Sequence, residues 1–201
     1  MIRAVTFDLD GVYFTEDSFQ TFKANFPKNT TDQNLIDHVL SKSDEITQSK
    51  QEILTEDQYW NYVRSQLGVS TSNKEISKLL ADSYQVNPNV VDIVKKTRNL
   101  GVKTCICTNN FPTRINALQD KFHFLDDFDV QIFSYQVNAT KPDPKIFQAL
   151  INQSDCQPNE IVFADDKEAN VISAQSLGIN AFIYQGFDHF LDKLRSFLLH
   201  L

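Results

Sequence analysis

Four stretches of this chain carry side chains that can do chemistry, three at the end of an apolar run and the fourth beyond one, "DVQIFSY". Asp8 and Asp10 lie in "TFDLDGVYF", Thr108, Asn109 and Asn110 follow "VKTCIC", Lys141 stands in "NATKPDP", and Asp165 and Asp166 close "EIVFADD". A buried anion is costly unless something pairs with it, so carboxylates placed at the end of a buried strand require a partner. Residues two apart in an extended chain point the same way, with Cα atoms ~7 Å apart. Asp8 and Asp10 therefore address one space, and with Asp165 they form a set of hard oxygen donors suited to Mg²⁺, which takes one or two carboxylates, waters and a substrate phosphate. In that setting Asp8 is placed to attack phosphorus and form an aspartyl-phosphate. Asp10 is placed to protonate the leaving oxygen and later to take a proton from water. Lys141 and the Thr108 hydroxyl, with Asn109 beside them, are placed to hold phosphoryl oxygens, and Pro142 keeps Lys141 extended ahead of the next helix.

These residues need a scaffold that gathers several strand ends. Residues 2 to 8 ("IRAVTFD") read as the first strand. From about 15 to 87 strand patterning is absent. Phe19, Phe22 and Phe26 recur on one helical face, Leu35, Ile36, Val39 and Leu40 on another, "TEDQYWNYVRSQLG" opens on a Thr cap and stops at Gly68, and "NKEISKLLADSY" makes a further helix. After Pro88, helices and strands alternate: "NVVDIVKKTRNLG", "VKTCICT", a helix from about Thr113, "DVQIFSY", "PKIFQALINQS", "EIVFAD", "ANVISAQSLG", "NAFIY" and "FLDKLRSFLLHL". Strict alternation implies a parallel sheet covered by helices on both faces, and ligands bind such sheets beyond the carboxyl ends of the strands. The expectation is an α/β core, residues 1–14 and 88–201, with an all-helical cap, residues 15–87, inserted after strand one. Phe190, Leu191, Leu194, Phe197, Leu198 and Leu201 form the packing stripe of the closing helix. Phe19, Phe22, Tyr59, Trp60 and Tyr62 read as helical core rather than pocket lining.

Composition narrows the function. The chain has 201 residues, a net charge of −7, and 26 acids against 19 Lys and Arg. That balance argues against nucleic-acid or anionic-membrane binding, which depends on basic surface. An acid at position 8 interrupts any leader-like apolar run, and no segment approaches ~20 apolar residues, so a cytosolic protein is expected. Cys105 and Cys107 read as small buried hydrophobes within a strand, and the scattered histidines lack zinc-ligand spacing.

The set "FDLDGV", "CTNN", "KPDP", "FADD", in that order, resembles the four motifs of the haloacid dehalogenase-like hydrolase superfamily. The resemblance implies a Rossmann-like, doubly wound parallel sheet of order 5-4-1-2-3 and a helical cap between the first and second motifs. It implies Asp8 as nucleophile, Asp10 as acid/base and as metal ligand through its backbone carbonyl, Thr108 and Lys141 as phosphate binders, and Asp165 as ligand to Mg²⁺. Asp166 is expected to support the metal rather than bind it, or to cap the following helix with Asn170. An Asp at position 10 argues for phosphoester chemistry over dehalogenation, and the texture of the later motifs is most similar to small capped sugar-phosphate and phosphoglycolate-type phosphatases. The expected substrate is thus a small phosphorylated metabolite. A phosphomutase of the β-phosphoglucomutase type shares "FDLDGV" and is the alternative.

Overall fold

Ala4–Phe7 are β-branched or apolar and wholly buried, and they form β1, the centre of a five-stranded parallel sheet. The structure is a computed structural model and describes residues 1–198. After β1 come α1 (Asp17–Asn25), α2 (Gln33–Asp37), a π-helical turn (His38–Lys42), α3 (Asp44–Lys50), α4 (Glu56–Leu67) and α5 (Asn73–Ser83). The chain then alternates through α6 (Pro88–Asn99), β2 (Lys103–Thr108), α7 (Pro112–Phe122), β3 (Val130–Phe133), α8 (Ser134–Val137), α9 (Pro144–Ser154), β4 (Ile161–Asp165), α10 (Glu168–Ser176), β5 (Asn180–Ile183) and α11 (Phe187–Phe197).

The strand order β3-β2-β1-β4-β5 is the expected 5-4-1-2-3 read from the opposite edge. Register decides where the chemistry falls. Phe7 pairs with Ile106 on one side and Ala164 on the other, so Asp8 comes level with Asp165 and Thr108 stands one residue beyond. Two apolar clusters line the faces of the sheet. One joins Val5, Phe7, Ile106 and Val162 to α6, α7, α11 and the helices of residues 17–83. The other packs Ala4, Cys105, Cys107, Ile132 and Phe163 against α9 and α10. The cysteines are buried free thiols, as their strand setting implies.

The helices of residues 17–83 are set by local signals. Thr55 and Gln58 make a reciprocal capping box that starts α4, and Gly68, at φ 66°, ends it. Ser72 and Glu75 do the same for α5. Phe22, Tyr59 and Trp60 are core, while Phe19 and Tyr62 are partly buried against it. The two connections to the sheet run side by side: Asn87 N–H donates to Tyr13 O at 2.8 Å and Thr15 N–H to Gln85 O at 2.9 Å.

Three details differ from the sequence reading. "NLIDHVL" is not one helix but α2 followed by the π-helical turn, after which Ser43 caps α3. The strand read into "DVQIFSY" stops at Phe133, because the Ser134 hydroxyl bridges to the Asn110 backbone, accepting from its N–H at 3.0 Å and donating to its O at 3.2 Å. Phe190, Leu194 and Leu198 of the closing stripe are buried, and Leu201 lies outside the described residues.

Candidate active site

The carboxyl ends of β1, β2 and β4 and the turn before α9 open onto a cavity of about 300 Å³ lined by Asp8, Asp10, Thr108, Asn109, Lys141 and Asp166, among others. At its floor Lys141 Nζ lies 3.1 Å from Asp8 Oδ2 and 2.6 Å from Asp165 Oδ2, with all three side chains buried. Burial pushes the Asp8 carboxyl up from 3.8 to about 6, against the pull of Lys141. The same desolvation would lower Lys141, but Asp8 and Asp165 outweigh it and hold the ammonium above its ordinary range. Asp165 is held below its usual value because Lys141 overcomes the effect of burial.

Each carboxylate is aimed by main chain or amide. Leu9 N–H donates to Asp8 Oδ1 at 2.8 Å. Lys167 N–H and Asn170 Nδ2 donate to Asp165 Oδ1 at 2.9 and 2.8 Å. Asn170 therefore supports Asp165 rather than capping α10, whose N-cap is Lys167 without a side-chain bond. Asn109 uses both ends of its amide on the backbone of Lys141, accepting from its N–H at 2.7 Å and donating to its O at 2.9 Å. Carboxylate oxygens of Asp8, Asp165 and Asp166 all lie within 4.8 Å of one another.

Asp10 is drawn elsewhere. Arg114 Nη2 lies 2.9 Å from its Oδ2, and the Tyr84 hydroxyl donates to its Oδ1 at 3.2 Å. Arg114 is buried on α7, donates to Tyr84 Oη at 2.9 Å and to Asn110 Oδ1 at 2.5 Å, and lies 5.2 Å from the Phe19 ring centre and 5.0 Å from that of Phe111. Sequence reasoning missed Arg114 and Tyr84. A signal existed for Arg114, since it shares the buried stripe of Phe111, Ile115 and Leu118 at helical spacing. Glu16, Gln20 and Lys50 complete the wall from the helical side. A larger cavity, about 520 Å³, opens among Asn29, Ser70, Glu75 and Lys78 and contains none of the strand-end residues.

Residues 2–178 match the haloacid dehalogenase-like hydrolase family. The chain belongs to the haloacid dehalogenase-like hydrolases. It is 26% identical over 213 residues to an uncharacterized protein of Dictyostelium discoideum, with 91% of each chain covered. It is 26% identical over 203 residues to mouse bifunctional epoxide hydrolase 2, matching 89% of this chain but 35% of that enzyme's length. It is 29% identical over 110 residues to the phosphorylated carbohydrates phosphatase of Thermotoga maritima, about half of each protein (53% and 50%). In fold this hydrolase is similar to a HAD family enzyme of Bacteroides thetaiotaomicron in complex with magnesium and inorganic phosphate, with a TM-score of 0.76, 22% identity, and 94% and 99% of the two chains covered.

Proposed function

We propose that this hydrolase is a Mg²⁺-dependent phosphatase that releases phosphate from a small phosphorylated metabolite through an aspartyl-phosphate on Asp8. The observation that carries the reading is Lys141, buried between Asp8 and Asp165 under a polar cavity onto which Thr108 and Asp166 also open. The donor set fits a magnesium ion: three carboxylates converge, and hard oxygens are its preferred ligands. Asp8, Asp165 and Asp166, with the carbonyl of Asp10, would hold it, and when bound it supplies neutralisation of charge on the phosphoryl oxygens. The phosphatase of T. maritima and the phosphate complex of the B. thetaiotaomicron enzyme lie on the same side of the argument.

The chain's own residues then divide the work. An Asp8 carboxyl at about 6 is largely ionised at neutral pH and is free to attack phosphorus as the bond to the leaving oxygen breaks. Asp10, once it has taken up a proton, gives it to that oxygen, then takes one from the water that hydrolyses the Asp8 acyl phosphate and regenerates the carboxylate. Arg114 and Tyr84 aim Asp10 for both steps. Lys141 and Thr108 hold the phosphoryl oxygens, and Asn109 holds Lys141 by its backbone. The helices of residues 15–87 act as a cap over the cavity and exclude bulk water, with Glu16, Gln20 and Lys50 facing the leaving group. Phosphate release from an aryl phosphate and a panel of sugar and glycolate phosphates, with Mg²⁺ or EDTA, tests the reading. Release that requires the metal supports it. An intact protein that releases nothing from any of them contradicts it.

A further inference from the structure

Lys50 faces the leaving-group side of the cavity but takes no part in the bond-making and proton-transfer steps above. It is the last residue of α3, lines the carboxylate cavity and is partly buried. Among the described residues its ammonium forms no ion pair and no hydrogen bond. The other basic residues lining the cavity come from the sheet side, Lys141 ahead of α9 and Lys167 ahead of α10. The acids are otherwise engaged or hydrated: Asp8 and Asp165 by Lys141, Asp10 by Arg114, while Glu16 and Asp166 are exposed at the mouth.

Its position is fixed to the core. The next residue, Gln51, donates from Nε2 to Thr140 Oγ1 at 3.2 Å and accepts at its backbone oxygen from Asn138 Nδ2 at 2.9 Å. Thr140 adjoins Lys141, so this staple ties the end of α3, and Lys50 with it, to the turn that carries the lysine at the cavity floor. Burial depresses the Lys50 ammonium to about 8, with Arg114 adding to the effect and Asp10 opposing it. A desolvated cation without a partner is unfavourable until an anion meets it, and a cavity of about 300 Å³ is at the small end of ligand sites, so the substrate it takes is small.

We propose that Lys50 recognises a second anionic group, a carboxylate or a distal phosphate, on the leaving-group side of the substrate, so that this enzyme selects small phosphomonoesters carrying two anions. The assignment rests on the phosphatase reading for its orientation, since it takes the phosphoryl group to sit at Lys141.

Calorimetric binding separates the two claims. Ethylphosphonate, phosphonopropionate and propylene bisphosphonate are titrated, with Mg²⁺ present, into the native protein and into Lys50→Gln and Lys50→Arg. The native protein is expected to prefer a two-anion probe over ethylphosphonate by about 10- to 100-fold, the range of a charge-assisted contact. Lys50→Gln should cut that preference to about 3-fold or less, and Lys50→Arg, which keeps the charge, should retain most of it. Whichever two-anion probe binds tighter names the second group. The proposal is overturned if the native protein shows no preference, if Lys50→Gln keeps it, or if Lys50→Gln weakens all three probes equally, which would put Lys50 on the transferred phosphoryl. A Lys50-dependent preference in a protein that releases no phosphate from the matching esters would sink the phosphatase reading and leave this assignment standing.

Discussion

Asp8→Asn is expected to stabilise the metal-free protein at about pH 8, and the gain should vanish as the pH falls. The Asp8 carboxyl is raised from 3.8 to about 6 in the fold, chiefly by burial. A group whose folded value lies above its unfolded value contributes stability that is complete below the unfolded value and lost as pH rises through the folded one. With ~1.4 kcal/mol per pH unit, a difference of about 2 units means that ionised Asp8 costs the fold about 3 kcal/mol above roughly pH 6. Asparagine removes that cost but offers one acceptor where two donors converge, the Leu9 N–H and Lys141 Nζ, which returns about 1 kcal/mol. Lys141 keeps Asp165 at 2.6 Å and is not stranded. The net gain of about 2 kcal/mol corresponds to roughly 4–8 °C in Tm for a chain of this size. Thermal melts by circular dichroism in EDTA, from about pH 8 to about pH 4.5, should show the variant melting higher at the alkaline end and the two curves converging between about pH 6 and about pH 4.5. A variant no more stable than native at pH about 8, or a gain indifferent to pH, would refute the reasoning. Excess Mg²⁺ should reverse the order, because an ion bound by the folded native protein alone adds to its stability by mass action.

Three further outcomes follow from the packing and the site. Arg114→Met should destabilise by about 2–3 kcal/mol in urea titration, less than the ~3–5 of a fully buried pair, because the Asp10 side chain is 39% exposed; it should also lower kcat for esters with poor leaving groups more than for aryl phosphates, since it disturbs the aim of Asp10. Trp60→Ala should cost about 3–5 kcal/mol, because the ring is fully buried and lies between Phe26, Tyr59 and Phe111 at 4.8–6.2 Å. Gly11→Ala should cost about 1 kcal/mol from backbone conformation alone, as Gly11 is at φ 76° and an added Cβ meets nothing within 4 Å.

The α/β alternation after Pro88 and the strand-end acids were legible because both are local in sequence. A buried parallel strand is a short apolar run, and its last residue faces the ligand crevice whatever its neighbours are. What was not legible depends on approach between distant segments. Tyr84 reads as the tail of α5, yet its hydroxyl reaches Asp10, 74 residues away. Lys50 reads as an ordinary cation in the last turn of a helix, and its place on the cavity wall goes with a staple from Gln51 to residues 138 and 140 that has no local sequence signal. Asp166 reads equally as a support to the acids or as a helix cap, and that its carboxylate comes within 4.8 Å of those of Asp8 and Asp165 depends on the turn after β4. The break of "NLIDHVL" into a helix and a π-helical turn carries no apolar-periodicity signal, since Ile36, Val39 and Leu40 remain buried in either form.

The central claim is that Asp8 carries the phosphoryl group. It is tested most directly by quenching the native protein and Asp8→Asn in acid during turnover of an aryl phosphate with Mg²⁺, then weighing the peptide that contains residue 8. The account predicts a phosphorylated peptide in the native protein, with metal-dependent phosphate release, and neither in Asp8→Asn. Undiminished phosphate release by Asp8→Asn, or a phosphoryl group on another residue, would contradict it.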